Sequence, residues 1–265
     1  MSLRLISKFA SVSRQGLPTL GLRRYGVPPG GALDRESLAL ANALLGNDPT
    51  NPAFEVIGGL SEWYVEEDCT VAVVGAETDF VGAQGSAKLL KGTTLSVHLG
   101  PHGFTYYIAS TTSPHNPRRL DHTCESPEVL RVVDGPQAHL FGKTWTAERF
   151  SVTNQITRAG FRLTGPFDPH NIELTSEPAC PGTIQVTPDG NAIILAPDGP
   201  TIGGYPKVAI VCSTDLDKLA HLRPGSNLHL ERVSLNQARD LLAEHRKRIS
   251  TRCRQLGIAT FGETV

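Results

Sequence analysis

Apolar residues in this chain are grouped into many short runs, and glycine, proline or polar residues separate one run from the next. Short runs rich in β-branched and aromatic residues between turn-forming residues predict β-strands. The first half resembles an antiparallel meander, with an initial strand near Leu3 and predicted strands at 53–56, 60–66, 70–74, 78–81, 87–90, 93–99 and 104–109. In the second half strands are predicted at 129–133, 149–153, 162–164, 183–186, 192–195, 208–211 and 228–231.

Three segments carry apolar residues at helical spacing, and they predict helices at 35–45, 215–222 and 235–256. Asp34 is predicted to cap the first helix by accepting from the backbone N–H groups of Glu36 or Ser37. Gly46 is predicted to end that helix as its left-handed C-terminal residue. Asn42 is a polar residue on the apolar face, so either its amide bonds to a neighbouring loop or the face is not fully buried.

The last helix begins with the capping-box pattern Ser234-x-x-Gln237. Its apolar face is predicted to pack on the rest of the protein through Leu235, Ala238, Leu242 and Ile249. Its basic face is predicted to be solvated and consists of Arg246, Lys247, Arg248 and Arg252. Together these patterns predict a mainly β protein with a few peripheral helices.

Composition excludes several classes of protein. The 265 residues carry a formal net charge of -1 and no basic run, so binding to nucleic acid is not expected. No apolar run is long enough to span a membrane. Five cysteines without a C-x-x-C pair indicate reduced thiols, and we therefore predict a cytoplasmic protein. The alternative is an organellar address, because residues 1–33 contain five basic residues, and no acidic one, at Arg4, Lys8, Arg14, Arg23 and Arg24.

The segment 111–127 contains three prolines and no hydrophobic periodicity, which predicts a loop or linker. We expect a single domain over residues 1–257, which could comprise two lobes divided near 111–127. Residues 258–265 are predicted to form a frayed tail.

The chain lacks the motifs of several common enzyme classes. It contains no Walker loop, dinucleotide fingerprint, nucleophile elbow or H-E-x-x-H helix. If ATP is used, another chain is expected to bind it. No metal site is predicted, because Gly100 and Pro101 prevent a helix between His98 and His102, and His115, His122 and Cys124 have irregular spacing.

Two glycine-rich loops are candidate ligand sites. Arg23 and Arg24 precede Gly30 and Gly31, whose exposed backbone enters the N-terminus of the first helix and suits an anion. The alternative is a glycine turn packed under a barrel.

The second loop, at 200–207, supplies backbone N–H groups at Gly203 and Gly204, a rigid wall at Tyr205 and a cation at Lys207. It suits a planar carbonyl or carboxylate. The alternative is a hairpin whose lysine points to solvent.

A third candidate is the segment with Arg158 and Arg162, in which Arg162 is flanked by apolar strand residues. Such an arginine is expected to have a carboxylate partner. The candidates are Asp34, Glu55, Glu77 or a bound substrate, and a purely structural ion pair is the alternative to a ligand contact.

Three segments of the chain resemble one known family. They are G-V-P-P-G-G-A-L-D-x-x-S-x-x-x-A-N-x-L-L-G-N, R-x-G-F-R-L-x-G and G-T-I-Q-V-T-P-D-G…G-G-Y-P-K-V-A-I-V. In this order they resemble the family of the 5-oxoprolinase C subunit, also called allophanate hydrolase subunit 2 or KipA-like, which is related to one half of the urea carboxylase carboxyltransferase domain. The resemblance implies a cyclophilin-like β-barrel.

The resemblance also implies a function and partners. It implies a subunit of an ATP-dependent amide or lactam hydrolase that opens 5-oxoproline to glutamate, or of a related urea or allophanate carboxyltransferase. Subunit-B-like and subunit-A-like proteins would be the partners, and ATP, or carboxybiotin held by another protein, would reach the reaction through them. This chain alone is expected to bind no cofactor. Homo-oligomerisation stays open.

The chain departs from the family pattern in three places. Where the family has T-V-Q-D-x-G-R, this chain reads S-V-S-R-Q-G-L, with Arg14 in place of the aspartate and Leu17 in place of the arginine. The middle segment 111–127 is shorter, and Ile156 to Arg162 differ from the pattern S-x-R-M-G-x-R. These departures favour a non-catalytic, KipA-like regulatory protein, whereas the nearly intact glycine loops favour an enzyme subunit.

From these features we predict a site for a small anionic substrate. The predicted catalytic groups are Lys207, Arg162 and Asp34. The predicted substrate-binding residues are Arg23, Arg24, Gly30, Gly31, Ser37, Asn42, Glu55, Arg158, Gly203, Gly204 and Tyr205. The segments 28–34 and 203–207 are predicted to face one cleft.

Overall fold

The computed structural model describes residues 2–80, 83–113, 115–120, 122, 124, 126–142 and 144–257. The chain divides into two compact units. The sheet unit comprises Met1–Leu17, Asp34–Ser126 and Arg246–Val265. The barrel unit comprises Pro18–Leu33 and Pro127–His245. One boundary between them, after residue 126, falls in the predicted linker, and the predicted tail lies outside the described residues.

The sheet unit contains two antiparallel sheets. Its strands are β1 (Leu3–Lys8), β2 (Ser11–Gln15), β3 (Ala53–Ile57), β4 (Leu60–Val65), β5 (Cys69–Thr78), β6 (Ala83–Leu89), β7 (Thr94–His98) and β8 (Thr105–Thr111). One sheet has the order β1-β4-β7 and the other β2-β3-β8-β5-β6. The predicted meander is therefore wrong, because consecutive strands such as β3 and β4, or β7 and β8, belong to different sheets. The turn at Gly58 and Gly59, both with positive φ, carries the chain from β3 to β4.

Strand β5 is continuous across the predicted break at Gly75. Gly75 pairs with Tyr106 of β8, and an added Cβ would lie 2.6 Å from the carbonyl oxygen of Thr105. The glycine thus permits close approach of two strands and does not form a turn. The strand predicted at 78–81 is wrong for residues 79 and 80, because β5 ends at Thr78. Val81 lies outside the described residues.

The barrel unit contains a closed barrel of seven strands. The strands of this unit, inside and outside the barrel, are β9 (Val129–Asp134), β10 (Phe150–Thr157), β11 (Gly160–Thr164), β12 (Glu177–Pro178), β13 (Thr183–Val186), β14 (Ala192–Leu195), β15 (Ile202–Gly203), β16 (Lys207–Val211) and β17 (Asn227–Arg232). The barrel order is β10-β11-β14-β13-β16-β9-β17, and the parallel pair β9–β17 helps to close it. Strands β12 and β15 pair separately over two residues each. The predicted mainly β, barrel-containing fold is confirmed.

Three α-helices are present in the described residues: α1 (Arg35–Leu44), α2 (Leu216–Leu219) and α3 (Leu235–Gln255). Helix α1 ends as predicted, since Gly46 has a φ of 69° and Asn47 donates to the carbonyl of Asn42. The predicted capping box is confirmed, because Ser234 and Gln237 exchange backbone-to-side-chain hydrogen bonds of 2.8 and 3.2 Å. Over the described ranges, no helix is both long and apolar enough to cross a membrane. The cytoplasmic location stays a prediction.

Helix α3 differs from its prediction on both faces. Ile249 and Cys253 are buried, but Leu235 is 56% exposed. Within the sheet unit, Arg248 and Arg252 donate to Glu36 of α1 at 2.7 and 2.6 Å. The prediction of a solvated basic face is wrong for Arg252, whose side chain is 24% exposed, whereas Arg248 stays 60% exposed while it pairs with Glu36. A carboxylate as buried as Glu36 needs cationic partners, and helical periodicity does not reveal such a partner.

Candidate functional site

In the sheet unit, Asp34 caps α1 as the sequence predicts. It is 3% exposed, and its Oδ1 accepts from the backbone N–H of Ser37 at 2.9 Å. Its Oδ2 accepts from the Ser37 hydroxyl, and its backbone N–H donates to the Tyr107 hydroxyl at 2.8 Å. These contacts stabilise the start of the helix, and the carboxylate is thus used by the fold.

Replacing Asp34 with alanine is expected to lower the free energy of unfolding by about 1 kcal/mol, because the cap of α1 is lost. Asparagine also caps helices well, so Asp34→Asn should keep most of the stability. Urea denaturation of both variants measures the difference. If the asparagine variant loses as much stability as the alanine variant, the negative charge and not the cap is the important feature.

Next to this cap lie His122 and Cys124. The guanidinium of Arg252 approaches His122 Nδ1 at 3.0 Å, and since arginine only donates, Nδ1 must accept. The neutral ring therefore carries its hydrogen on Nε2, which lies 3.2 Å from Cys124 Sγ. A ring in this tautomer cannot take the thiol proton. Burial raises the pKa of Cys124 well above its usual value, and Asp34 adds to this effect. Burial thus favours the protonated thiol.

Two predicted substrate-binding residues of the sheet unit are also engaged within the fold. Asn42 is 1% exposed and donates to the carbonyl of Asn51 at 2.8 Å, which is the first of its two predicted alternatives. Glu55 is fully buried and accepts from the Tyr107 hydroxyl at 2.6 Å. Burial and the nearby Glu55 raise the pKa of Tyr107. Asn42 also lines a cavity of about 480 Å³ together with Arg14, among others.

In the barrel unit, the two arginines of the loop before residue 34 have different environments. A guanidinium N–H of Arg23 donates to the carbonyl of Ala179, and within the described residues its Nε is buried without a partner. Arg24 is exposed and lies over the ring of Tyr25, 4.7 Å from its centre.

One glycine of the same loop contacts the turn after β14 directly, and the other contacts Arg158, which is bound to that turn. Arg158 forms two hydrogen bonds of 2.7 and 2.9 Å to Asp198, and it also donates to the carbonyl of Gly31 at 2.7 Å. Gly30 N–H donates to the carbonyl of Pro197 at 3.0 Å. Arg158 therefore anchors the glycine loop to Asp198 within the barrel unit, and its role in substrate binding stays a prediction.

Arg162 does not have the buried environment that its apolar neighbours suggest. Its side chain lies on the exposed face of β11 between the buried Phe161 and Leu163. In the part of the chain that the structure describes, it makes no ion pair, so the expected carboxylate partner is absent there. Strand alternation explains this, because neighbours at odd spacing face the opposite side.

Lys207 is the centre of a polar cluster in the barrel unit. Its side chain is 3% exposed, so the alternative of a lysine pointing to solvent is wrong. Its ammonium donates to the carbonyl of Gly203 at 3.0 Å and to that of Tyr205 at 3.4 Å. The third contact, also 3.4 Å, is to Glu177 Oε2. Three acceptors match the three N–H donors of an ammonium. A ligand carboxylate could therefore reach this cation only by replacing one of them.

Sequence reasoning missed three residues around this lysine. Gln137 donates to Glu177 at 3.1 Å and accepts from the backbone N–H of Lys207 at 3.0 Å. Gln185 is 4% exposed and packs against Gly203. A glutamine between Ile184 and Val186 in a buried strand is a signal that could have found Gln185. Glu177 has no local signal, because its role depends on pairing with a residue far along the chain.

The barrel unit thus brings together part of the predicted site. Arg23 donates to Ala179, the residue after β12, and Ala179 N–H donates to the carbonyl of Thr201, the residue before β15. The residues Gly30, Gly31 and Arg158 meet at the turn after β14. Asp34, Ser37, Asn42 and Glu55 belong to the sheet unit. The single shared cleft stays a prediction. Chemically, the Lys207 cluster offers a cation, amide donors and a carboxylate acceptor, which suits a small polar ligand.

Comparisons with known proteins agree with this fold. The profile of a family described as "Carboxyltransferase domain, subdomain A and B" matches residues 25–120 and 109–232. The C subunit of 5-oxoprolinase from Haemophilus influenzae is 28% identical over 278 residues, covering 86% of this chain and 90% of the relative. That of Escherichia coli is 26% identical over 270 residues, covering 82% and 87%. The crystal structure of the K. lactis urea amidolyase has a TM-score of 0.80 at 21% identity and shows likeness of fold. The match covers 94% of this chain but 20% of that one.

Proposed function

Since the chain belongs to the carboxyltransferase family with subdomains A and B, we propose that it is a subunit of a 5-oxoprolinase or urea carboxylase type of enzyme system. The observation that carries this proposal is the similarity to two bacterial 5-oxoprolinase C subunits over nearly their whole length. The reaction we propose is the ATP-dependent opening of 5-oxoproline to glutamate, with a related urea or allophanate carboxyltransferase reaction as the alternative.

We assign substrate binding to the cluster around Lys207. The buried ammonium provides positive charge, and a substrate oxygen would take the place of one of its three present acceptors, which are two backbone carbonyls and Glu177. Such preorganised groups are used to bind and polarise carbonyl substrates. Arg23 lies next to this cluster through its bond to Ala179 and supplies further positive charge for an anionic substrate. The chain lacks a Walker loop, and we propose that partner subunits bind ATP.

The proposal is tested by reconstitution. The chain is co-expressed with the subunit-A-like and subunit-B-like proteins of its native cell, and glutamate formation from 5-oxoproline is followed with and without ATP. We expect glutamate only when all subunits and ATP are present. Omission of this chain should abolish the product. If the other subunits make glutamate equally well without this chain, the proposed function is wrong.

A second candidate is a KipA-like regulatory protein that binds a partner without catalysis. It is favoured by Arg14, which stands where the family carries an aspartate and lies in β2 opposite Phe54. In the same reconstitution, this candidate predicts that the chain co-purifies with a subunit-B-like protein but adds no glutamate-forming activity. If Arg14 alone accounts for the loss of activity, restoring the family residue with Arg14→Asp should produce glutamate-forming activity.

A further inference from the structure

The environment of Glu177 differs from that expected for a carboxylate whose only role is a structural ion pair. Its side chain is 42% exposed, whereas Lys207 beside it is 3% exposed. The contact from Lys207 is 3.4 Å and that from Gln137 is 3.1 Å, both to Oε2. Charge-assisted N–H···O bonds are typically about 2.7–2.9 Å, so this carboxylate is held loosely.

The second oxygen of Glu177 retains most of its capacity to accept hydrogen bonds. Oε1 receives one long contact of 3.4 Å from Gln137. An ionised carboxylate offers about four lone-pair sites. Glu177 is therefore a partly exposed acceptor that a cation and an amide approach from one side and that keeps most of its hydrogen-bonding capacity.

An independent observation supplies the matching donor. Gln185 is 4% exposed, and among the residues that the structure describes its Nε2 has no hydrogen-bond partner. A buried amide without a partner is destabilising, and native proteins rarely retain one without a reason. Its position beside the Lys207 cluster points to a ligand as the missing acceptor.

Strand register brings this donor and this acceptor to one place. Glu177 of β12 lies directly opposite Gly203 of β15, so their side-chain directions share one face. A Cβ added to Gly203 would lie 2.5 Å from Gln185 Nε2, which places the amide of Gln185 on that face as well. Acceptor and donor therefore flank the same glycine.

We propose that Glu177 and Gln185 recognise a secondary amide group, –CO–NH–, as found in a lactam or a urea derivative. Glu177 accepts the hydrogen bond from the substrate N–H, and Gln185 donates to its carbonyl oxygen. This inference rests on the proposed function, because it concerns the same site. Gln185 Nε2 is covered in this structure, so this binding mode requires the two-residue strands β12 and β15 to move.

The test compares 5-oxoproline with N-methyl-5-oxoproline, which lacks the N–H group. Affinities are measured by calorimetry for the full chain, alone and assembled with its partner subunits. The wild type should bind 5-oxoproline about 10- to 100-fold more tightly than the methylated compound, as expected for a hydrogen bond to a charged group. In Glu177→Ala the two affinities should become equal to within about twofold.

Asp134 provides the matched control. It is a half-exposed carboxylate of the same unit, paired with Arg232 at 2.7 Å. Asp134→Asn should retain the wild-type preference for the unmethylated ligand. The role of Glu177 would be overturned if Glu177→Ala kept the wild-type preference for the unmethylated ligand. It would also be overturned if Asp134→Asn lost this preference as fully as Glu177→Ala.

Gln185→Leu tests the donor. This variant removes the unpaired amide, so it should bind both ligands at least about tenfold more weakly, while its unfolding midpoint should not fall. A lower midpoint with unchanged affinity would show that the amide is structural. The outcomes also separate this inference from the proposed function. If the assembled enzyme converts 5-oxoproline to glutamate, but the preference for the unmethylated ligand does not depend on Glu177, only this inference is wrong. If the preference depends on Glu177 but no glutamate is formed, only the proposed function is wrong.

Discussion

Replacing Asp215 with asparagine is expected to lower the free energy of unfolding by about 3–5 kcal/mol, the range for breaking a buried ion pair. The carboxylate is fully buried in the barrel unit. It accepts from the backbone N–H of Arg131 at 2.8 Å and from Arg131 Nε at 3.0 Å. Lys218 lies 3.2 Å away. An asparagine would place an N–H donor against these donors, which leaves the arginine charge without its partner.

The loss of stability should depend on pH. Burial alone would raise the pKa of Asp215, but the hydrogen bonds from Arg131 outweigh burial and hold the pKa below its usual value. A carboxyl whose pKa is lower in the folded protein stabilises the fold above its unfolded pKa, and this contribution disappears as pH falls through the folded pKa. The wild type should therefore exceed Asp215→Asn most at neutral pH. The difference should shrink as pH falls below about 4.

Urea denaturation at several pH values measures this effect, and Asp189 provides its control. Hydrogen bonds from Thr187 and Asn191 lower the pKa of Asp189 as well, but this side chain is exposed to solvent. Asp189→Asn should change stability much less, because solvent screens an exposed charge. Equal losses in the two variants would contradict the assignment of the effect to burial.

The local features of the fold could be predicted because nearby residues determine them. The Asp34 cap, the Gly46 helix end and the Ser234–Gln237 capping box each depend on atoms within a few residues, and all three are confirmed. Strand order could not be predicted in this way. A glycine such as Gly75 looks like a turn residue in the sequence, yet its role depends on the backbone of β8, about thirty residues away, which an added Cβ would meet.

The candidate site shows the same division. Gly203, Tyr205 and Lys207 were found because they are close in sequence and chemically distinctive. Glu177 and Gln137 were missed because they reach Lys207 only through long-range packing. The sequence also does not determine whether the side chain of Lys207 is buried or exposed, since a lysine at the start of a strand can face either side. Its burial changes the meaning of a substitution there.

Replacing Lys207 with alanine is therefore expected to lower both stability and activity. The carbonyls of Gly203 and Tyr205 would lose their donor, which costs about 1–3 kcal/mol of unfolding free energy. Loss of the buried aliphatic stem adds to this cost. Glutamate formation by the reconstituted enzyme should fall by about 100-fold or more if the ammonium stabilises developing charge.

Lys207→Met separates the two contributions, because methionine keeps much of the apolar stem and removes the charge. Its stability should lie between those of the wild type and the alanine variant, while its activity should be as low as that of alanine. Urea denaturation and the glutamate assay on the same preparations give both values. A lysine that contacts only a ligand would behave differently: both variants would unfold like the wild type, and only binding would weaken. Such a result would mean that the contacts of Lys207 to Gly203, Tyr205 and Glu177 contribute no net stability, and that the ammonium is held there for the substrate alone.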